Sequence, residues 1–182
     1  MDVHYRDTMD RGVQYLKYDP ADVRHTSHIG RLDGRRVFYT FWKTPLSPES
    51  KKDKRYNNRT AWYQTVAFLD FDDAMSIEDE PLKDRVNIMA TTGNIALNCD
   101  CPAFRYYGYK YIITSLEANT DHEFEADLEG MYPKVRNPDL KGVICKHLAL
   151  VLRVMPFWIA DFAGDINRNL ADIEGIPYGQ YT

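Results

Sequence analysis

Three segments of the chain place apolar residues at helical spacing. Met9, Val13 and Leu16 lie at i, i+4 and i+7, which predicts a short helix early in the sequence. Residues 145–155 are apolar nearly all round, which is typical of a helix buried in a core. Pro156 permits a second helix to begin there, because proline is tolerated in the first turn. The helical stripe that follows consists of Ile159, Phe162, Ile166, Leu170 and Ile173.

Four other segments have the composition or the alternation of strands. Residues 35–42 and 61–71 are rich in β-branched and aromatic side chains, so each predicts a strand. Residues 86–99 contain the turn-forming run Thr-Thr-Gly-Asn between two apolar stretches, which predicts a β-hairpin. Residues 104–116 interleave tyrosines with isoleucines and predict one more strand.

The segments between these elements are polar and predict loops. Residues 45–58 are lysine-rich with two prolines, residues 72–84 are acidic with at most one helical turn, and residues 117–141 contain two prolines. Residues 175–182 are expected to be extended. Together the elements predict an α+β fold, a small antiparallel sheet or β-hairpin with C-terminal helices.

Three cysteines and one histidine form two closely spaced pairs, Cys99-x-Cys101 and Cys145-x-His147. Structural zinc ions take four such thiolate and imidazole ligands in a closed tetrahedral shell. Pro102 follows the first pair and cannot continue a strand ladder, so it favours the sharp turn that brings two thiolates to one ion. The sequence therefore predicts that these four residues bind one structural zinc ion, around which the fold is organised.

The second pair requires a particular backbone geometry. Residues i and i+2 of a regular helix point about 200° apart, so both ligands cannot face one ion from within a helix. Cys145 must therefore lie at or before the helix N-cap, with His147 in the first turn. The positive end of the helix dipole and the intervening Lys146 would then offset the negative charge of the three thiolates.

Other interpretations of these residues remain open. Three cysteines in a cytosolic protein can be ordinary buried thiols. A disulfide is disfavoured because a Cys-x-Cys bridge is strained, the cysteine count is odd and the compartment is reducing. His122 is the alternative fourth ligand, but its setting between Asp121 and Glu123 favours a solvated side chain.

The two pairs resemble the SWIM-type zinc finger, whose signature is Cys-x-Cys, a variable spacer and Cys-x-His. Residues 99–104 (Cys-Asp-Cys-Pro-Ala-Phe) are similar to the first half of that signature, and residues 145–148 (Cys-Lys-His-Leu) to the second. The spacer between Cys101 and Cys145 has 43 residues and is longer than is usual in the family.

The length of the chain suits one domain over residues 1–182. The resemblance implies a SWIM-like zinc module at residues 86–156 with a long insertion at residues 105–141. An N-terminal α/β part at residues 1–85 would precede this module, and a C-terminal helix and extended tail at residues 157–182 would follow it.

Charge is distributed unevenly along the chain. Residues 1–70 contain 13 Lys and Arg against 9 Asp and Glu, whereas residues 71–182 contain 10 against 18. Affinity for nucleic acid comes from neutralising phosphates, so the acidic C-terminal half argues against broad DNA binding. The basic run at residues 51–55 is either a solvated loop or a phosphate contact.

Targeting signals are not evident in the sequence. The first residues are charged and lack the apolar segment of a secretory signal. The most apolar stretch, residues 148–159, is too short to span a bilayer and is interrupted by Arg153 and Pro156. We therefore expect a soluble protein made in a cytosol, with no membrane partner.

Two further groups of residues offer weaker chemistry. Asp70 and Asp72 follow an apolar strand, as in phosphotransferases with an aspartyl nucleophile. Such an enzyme needs a parallel sheet and downstream motifs that the pattern does not contain, so a strand ending in an acidic turn is favoured. His25 and His28 could pair on one helix face, but they have no nearby nucleophile or carboxylate and are expected at the surface.

A closed zinc shell has no open position for a substrate, so the sequence favours a binding or structural protein without catalytic residues. The Cys-x-Cys-Pro-x-Phe run, the Tyr-rich segment and residues 137–142 (Asn-Pro-Asp-Leu-Lys-Gly) look like virion structural proteins of tailed bacteriophages. That resemblance implies a neck, tail or baseplate component, made in the host cytoplasm and located in the virion. It also implies several virion proteins as partners, with a weak nucleic-acid contact through the basic N-terminal half.

The alternative is a nucleic-acid-binding SWIM accessory protein. It would use cationic residues of the N-terminal half, namely Arg31, Arg35, Arg36 and the run at residues 51–55.

Overall fold

A computed structural model describes residues 22–46, 48–120, 132–135 and 137–174. Several predictions fall outside these residues. They are the helix carrying Met9, Val13 and Leu16, the side chain of His122, and the extended segment at residues 175–182.

The centre of the described fold is a four-stranded antiparallel sheet in the order β1-β2-β3-β4. The antiparallel sheet with helices confirms the predicted α+β class, and it is larger than a hairpin. The strands predicted at residues 35–42 and 61–71 are present. The strands are β1 (Arg24–Leu32), β2 (Arg35–Pro45), β3 (Ala61–Phe68) and β4 (Ile95–Cys99).

Strand β1 was not predicted, and it changes the interpretation of two histidines. Asp33 and Gly34 connect β1 to β2 with positive φ angles of 49° and 82°, as a two-residue hairpin turn requires. His25 and His28 lie in this strand, so they do not share a helix face, and the expectation that both lie at the surface holds for His28 but not for His25. Because side chains alternate along a strand, residues three apart face opposite sides of the sheet.

The described helices begin soon after β2 and continue to residue 174. The loop predicted at residues 45–58 contains one short helix and a 3-10 turn at Lys54–Tyr56. The helical turn expected within residues 72–84 begins at Phe71, one residue before that range. The helices are α1 (Pro48–Lys52), α2 (Phe71–Met75), α3 (Leu82–Thr92), α4 (Pro102–Tyr106), α5 (Tyr109–Ser115), α6 (Lys146–Val154) and α7 (Ile159–Glu174).

The hairpin predicted at residues 86–99 was wrong. Helix α3 occupies its first half because Leu82, Val86 and Met89 share one face and are buried together. This apolar stripe has helical period, and burial of the stripe outweighs the turn propensity of the residues before Gly93. Only β4, the second half, is a strand.

The strand predicted at residues 104–116 was also wrong. Pro102 begins helix α4 at the position where a missing N–H costs nothing. Gly108, at a left-handed φ of 79°, then separates α4 from α5. The tyrosines of this segment therefore lie on two short helices.

The two helices predicted at the C-terminal end are present as α6 and α7, with a 3-10 turn at Met155–Trp158 between them. The sheet presents its inner face to the main core, in which α6 and α7 pack. This inner face contributes Phe38, Trp42, Val66, Phe68 and Cys99.

The opposite side of the sheet is called the outer face and carries His28, Tyr39, Phe41, Lys43 and Tyr63, as the strand registers dictate. Its small buried cluster of Val37, Ala67 and Ala96 is surrounded by other strand or strand-end residues of the described chain.

Candidate metal centre

Cys99 is the last residue of β4, and the strand pairing fixes its position. It lies opposite Gln64 of β3, on the inner face. The Gln64 side chain donates a hydrogen bond from Nε2 to Cys99 Sγ over 3.7 Å. The Cys99 sulfur therefore faces the core and already accepts a hydrogen bond from the Gln64 amide.

Cys101 lies two residues further, where the chain leaves the sheet and enters α4. It is the N-cap of that helix, and its Sγ accepts a hydrogen bond from the backbone N–H of Phe104 at 3.3 Å. Pro102 occupies the first helical turn, as the turn predicted after the cysteine pair requires. Donation from a backbone N–H stabilises the thiolate that a metal ion needs.

Cys145 and His147 lie where the helix geometry requires them. Cys145 is the N-cap of α6 in an extended conformation, and His147 is in the first turn. The carbonyl of Cys145 accepts the N–H of Ala149 at 3.0 Å, so the helix begins directly at this ligand. The extended backbone of Cys145 changes the direction of its side chain, which lets residues i and i+2 converge.

These two pairs meet in one buried cluster. Ligand atoms of Cys99, Cys101, Cys145 and His147 all lie within 4.8 Å of one another. Sulfur ligands around a tetrahedral zinc ion lie about 3.8 Å apart, given Zn–S bonds of about 2.3 Å. The structure thus brings together all four predicted residues, across the long spacer, in an arrangement that could hold a metal ion.

The cluster contains polar atoms that a metal ion would satisfy. Both ring nitrogens of His147 are buried, and neither has a hydrogen-bond partner in the described part of the chain. A buried imidazole without a partner is costly, whereas a metal bond to one nitrogen removes part of that cost. This observation fits the residues to a metal ion independently of the spacing of the motif.

The three thiols are not equally acidic. Burial raises the pKa of Cys99 and that of Cys145 well above the ordinary value. Hydrogen bonds from Cys145 and Cys99 hold the pKa of Cys101 well below it. One thiolate, supported by two neighbouring thiols, is therefore favoured without metal, and a divalent cation is needed to hold three thiolates together.

Residues beside the cluster support it, and the motif did not indicate them. The ring centroid of Trp62 lies 5.9 Å from that of His147. The Cζ atom of Arg59 lies 4.6 Å from the centroid of the Trp62 ring. Arg59 also pairs with Asp100 at 2.5 Å, and Asp100 accepts the backbone N–H of Tyr63 at 2.9 Å. The residue between the first two cysteines is thus tied to β3, and no local pattern in the sequence indicates this contact because it depends on strand pairing.

The spacer returns to the cluster through one buried amide. Asn137 donates from Nδ2 to the carbonyls of Tyr107 (3.1 Å) and Lys141 (3.0 Å), and its Oδ1 accepts the N–H of Lys141 at 2.8 Å. Pro133 packs against Gly108 so closely that a Cβ there would lie 2.2 Å from its Cγ. These contacts place the chain beside α4 before it enters α6.

The other predicted candidates do not join the metal centre. Asp70 accepts hydrogen bonds from the backbone N–H (2.7 Å) and side chain of Asn94, and Asp72 pairs with Arg36 at 2.6 Å. Both carboxylates therefore have structural partners in an antiparallel sheet. His25 is packed against Trp42 and other aromatic rings, whereas His28 lies on the outer face.

Comparison with known proteins gives one family model that matches part of the chain. The family model described as the SWIM zinc finger matches residues 85–110, which include the first cysteine pair and end before the second. Searches of curated proteins and of solved structures give no match. The family match and the Cys3His cluster together indicate zinc binding and a zinc-dependent interaction.

Among the described helices, none combines the length and apolar character needed to cross a membrane.

Proposed function

We propose that the Cys3His centre holds a single zinc ion with a structural role. The observation that carries this proposal is the convergence of four buried ligands, one of them an imidazole with unpartnered nitrogens. Four protein ligands fill a tetrahedral shell, so no coordination position is left for water or substrate. The ion then joins the end of β4 to the start of α6.

Zinc content measured on matched histidine variants tests this proposal. We expect about one zinc ion per chain in the wild type by elemental analysis, and a large loss of zinc in His147→Asn. His28→Asn is the control, because His28 is exposed on the outer face. Equal zinc content in both variants, or no zinc in the wild type, would contradict the assignment.

In this proposal the chain is a non-enzymatic subunit that binds other proteins and whose fold is stabilised by zinc. Two exposed tyrosines flank the metal centre on and after α4, Tyr106 at 58% exposure and Tyr107 at 40%. Tyrosines are enriched at protein interfaces because they combine a large apolar face with a polar tip. We expect no phosphatase activity, and an activity abolished by Asp70→Asn would contradict the non-enzymatic role.

The resemblance of the motif to virion structural proteins supports a more specific setting. In this proposal the chain is a component of the neck, tail or baseplate of a tailed phage, made in the host cytoplasm and bound to several virion proteins. The exposed tyrosines beside the zinc site are the surface through which it would bind them.

Mass spectrometry of purified particles tests the setting. We expect the chain in particles grown on the host, and cross-links from the segment around Tyr106 to other virion proteins. Tyr106→Ser should reduce incorporation into particles, whereas Phe157→Ser, at an exposed ring in the turn after α6, is the control. A chain abundant in the infected lysate but absent from particles would rule out the virion role.

The alternative is a nucleic-acid-binding accessory protein. Two of the predicted phosphate contacts are already paired, Arg36 with Asp72 and Arg55 with Asp53. The observation that favours this alternative is that the strands contain Arg and Lys but no Asp or Glu. A gel shift that weakens with salt is the corresponding test.

A further inference from the structure

The charged residues of the sheet strands are all cationic. No Asp or Glu occurs within any of the four strands. The registers place Lys43 between Arg24 and Tyr63 on the outer face, and Lys43 forms no ion pair among the described residues. Asp100, which directly follows β4, is already paired with Arg59. The cationic strand residues are Arg24, Arg31, Arg35, Arg36 and Lys43.

The same face carries a set of parallel aromatic rings. His28 stacks on Tyr39 at 5.3 Å and on Phe41 at 5.2 Å, with interplanar angles of 23° and 12°. A Cβ at Gly30 would lie 2.9 Å from the Tyr39 ring, so the absence of a side chain there lets this ring lie against the sheet. Phe41 is 39% exposed and Tyr63 is 52% exposed.

A polar cavity continues the outer face beyond Tyr63. It has a volume of about 380 Å³ and is lined by Lys54, Arg55, Arg59 and Tyr63, among other residues. Asp53 and Asp100 pair with the two arginines, whereas Lys54 forms no ion pair in the described part of the chain. Lys43 therefore lies between Phe41 and Tyr63, and Lys54 lies beyond Tyr63.

We propose that the outer face binds single-stranded nucleic acid, with bases stacked on Phe41 and Tyr63 and phosphates near Lys43 and Lys54. Flat exposed rings that alternate with unpaired cations match a strand that alternates planar bases with anionic phosphates. A duplex hides its bases within the helix and cannot use the rings. This binding site goes beyond the zinc-stapled interaction role and does not rest on it, because Phe41, Lys43 and Tyr63 lie on the face of the sheet opposite to Cys99.

Fluorescence anisotropy with the zinc-loaded full chain tests the site. The probes are labelled oligo-dT and oligo-rU of about 12 nucleotides and a duplex of similar length. We expect binding of a single strand that weakens between about 50 and 200 mM salt, and weaker binding of the duplex. The preference between the two single strands identifies whether DNA or RNA is the ligand.

Two variants and two controls distinguish the contribution of base stacking to binding from the contribution of charge. Phe41→Ala should weaken single-strand binding roughly 5- to 100-fold, and Lys43→Gln should lower the salt slope by about one. Phe157→Ala and Lys83→Gln change an exposed ring and an exposed lysine away from the outer face, and both should bind as the wild type does. Melting curves and zinc content confirm that each variant is folded.

The proposal is overturned if neither single strand binds at low salt. It is equally overturned if the duplex binds as tightly as a single strand, or if Phe41→Ala and Phe157→Ala have the same affinity.

Discussion

Cys145 combines two features in one residue, the N-cap of α6 and a thiol of the cluster that could hold a metal ion. The extended backbone of a cap residue is what allows its sulfur to converge with the imidazole two residues later. A metal ion bound to this cluster would therefore also fix where the buried helix begins. The requirement was predictable from the spacing alone, since two ligands at i and i+2 cannot both face one ion from within a helix.

Cys145→Ser should therefore destabilise the fold as well as remove zinc. A loss of at least about 3 kcal/mol is expected because structural zinc contributes far more than this in small zinc modules. For a chain of this size that corresponds to a melting temperature lower by about 6–12 °C. A variant with unchanged zinc content and an unchanged melting curve would show that the ion is not a structural staple.

His25 is a buried titratable residue whose environment the sequence did not reveal. Its ring packs between Trp42, Trp158 and Phe162, and its Nδ1 has no hydrogen-bond partner among the described residues. Burial lowers the pKa of His25 below its ordinary value, more than the nearby carboxylates of Asp165 and Asp161 raise it. The folded protein therefore favours neutral His25.

This shift predicts a loss of stability in acid. Because the unfolded state takes up the proton first, the contribution of His25 is fully present above about pH 6.5 and is lost as the pH falls through the lower folded pKa. His25→Phe should reduce the fall in unfolding free energy between about pH 7 and 5, measured by denaturant titration in excess zinc. His28→Phe is the control, and identical pH profiles for both variants would contradict the prediction.

Among the elements, α4 and α5 depend on a close contact with the returning spacer. Gly108 has a left-handed φ of 79°, and a Cβ there would lie 2.2 Å from Pro133 Cγ. Gly34 has a similar φ of 82°, but no atom lies within 4 Å of a Cβ built on it. Substitutions at these two glycines therefore distinguish the effect of backbone strain from that of steric overlap.

Gly108→Ala should destabilise the protein by about 2–4 kcal/mol, since both left-handed strain and displacement of Pro133 contribute. Gly34→Ala should cost only the strain, about 1 kcal/mol. Thermal unfolding of the two variants measures the difference. If both lose the same stability, the contact between the spacer and Gly108 contributes nothing.

The element predictions failed where local residue type and burial disagreed. Residues 91–94 have turn chemistry, yet the first of them complete α3, because the stripe ending at Met89 is buried. The tyrosines after Phe104 have strand propensity, but Pro102 and Gly108 delimit two short helices. Strand β1 was missed because it is polar, although the Asp33-Gly34 turn was a local signal for it.

On the scale of the whole molecule, the metal centre connects parts of the chain that are distant in sequence. Cys99 belongs to the central sheet, whereas Cys145 and His147 begin the helix that packs on that sheet. The closed loop between the pairs is long, so fixing its ends with one ion removes considerable chain entropy from the unfolded state.

Removal of zinc should therefore affect the entire fold. Excess chelator is expected to lower the melting temperature of the wild type about as much as Cys145→Ser does, and to change the variant little further. Tryptophan fluorescence should report the change because Trp62 packs on His147. Additive effects of chelator and substitution would show that they act on different sites.

The sequence by itself determined the four candidate ligands, the position of Cys145 at the helix start and the apolar stripes of the last two helices. These features are local, because ligand chemistry and helical period are carried by residues close together in the chain. The tertiary structure decided what lies around them. Gln64 and Trp62 reach the centre from elsewhere in the sequence, and Asn137 connects the spacer to the end of α4. The rings of the outer face became neighbours only when three strands paired, because such contacts depend on register rather than on local pattern.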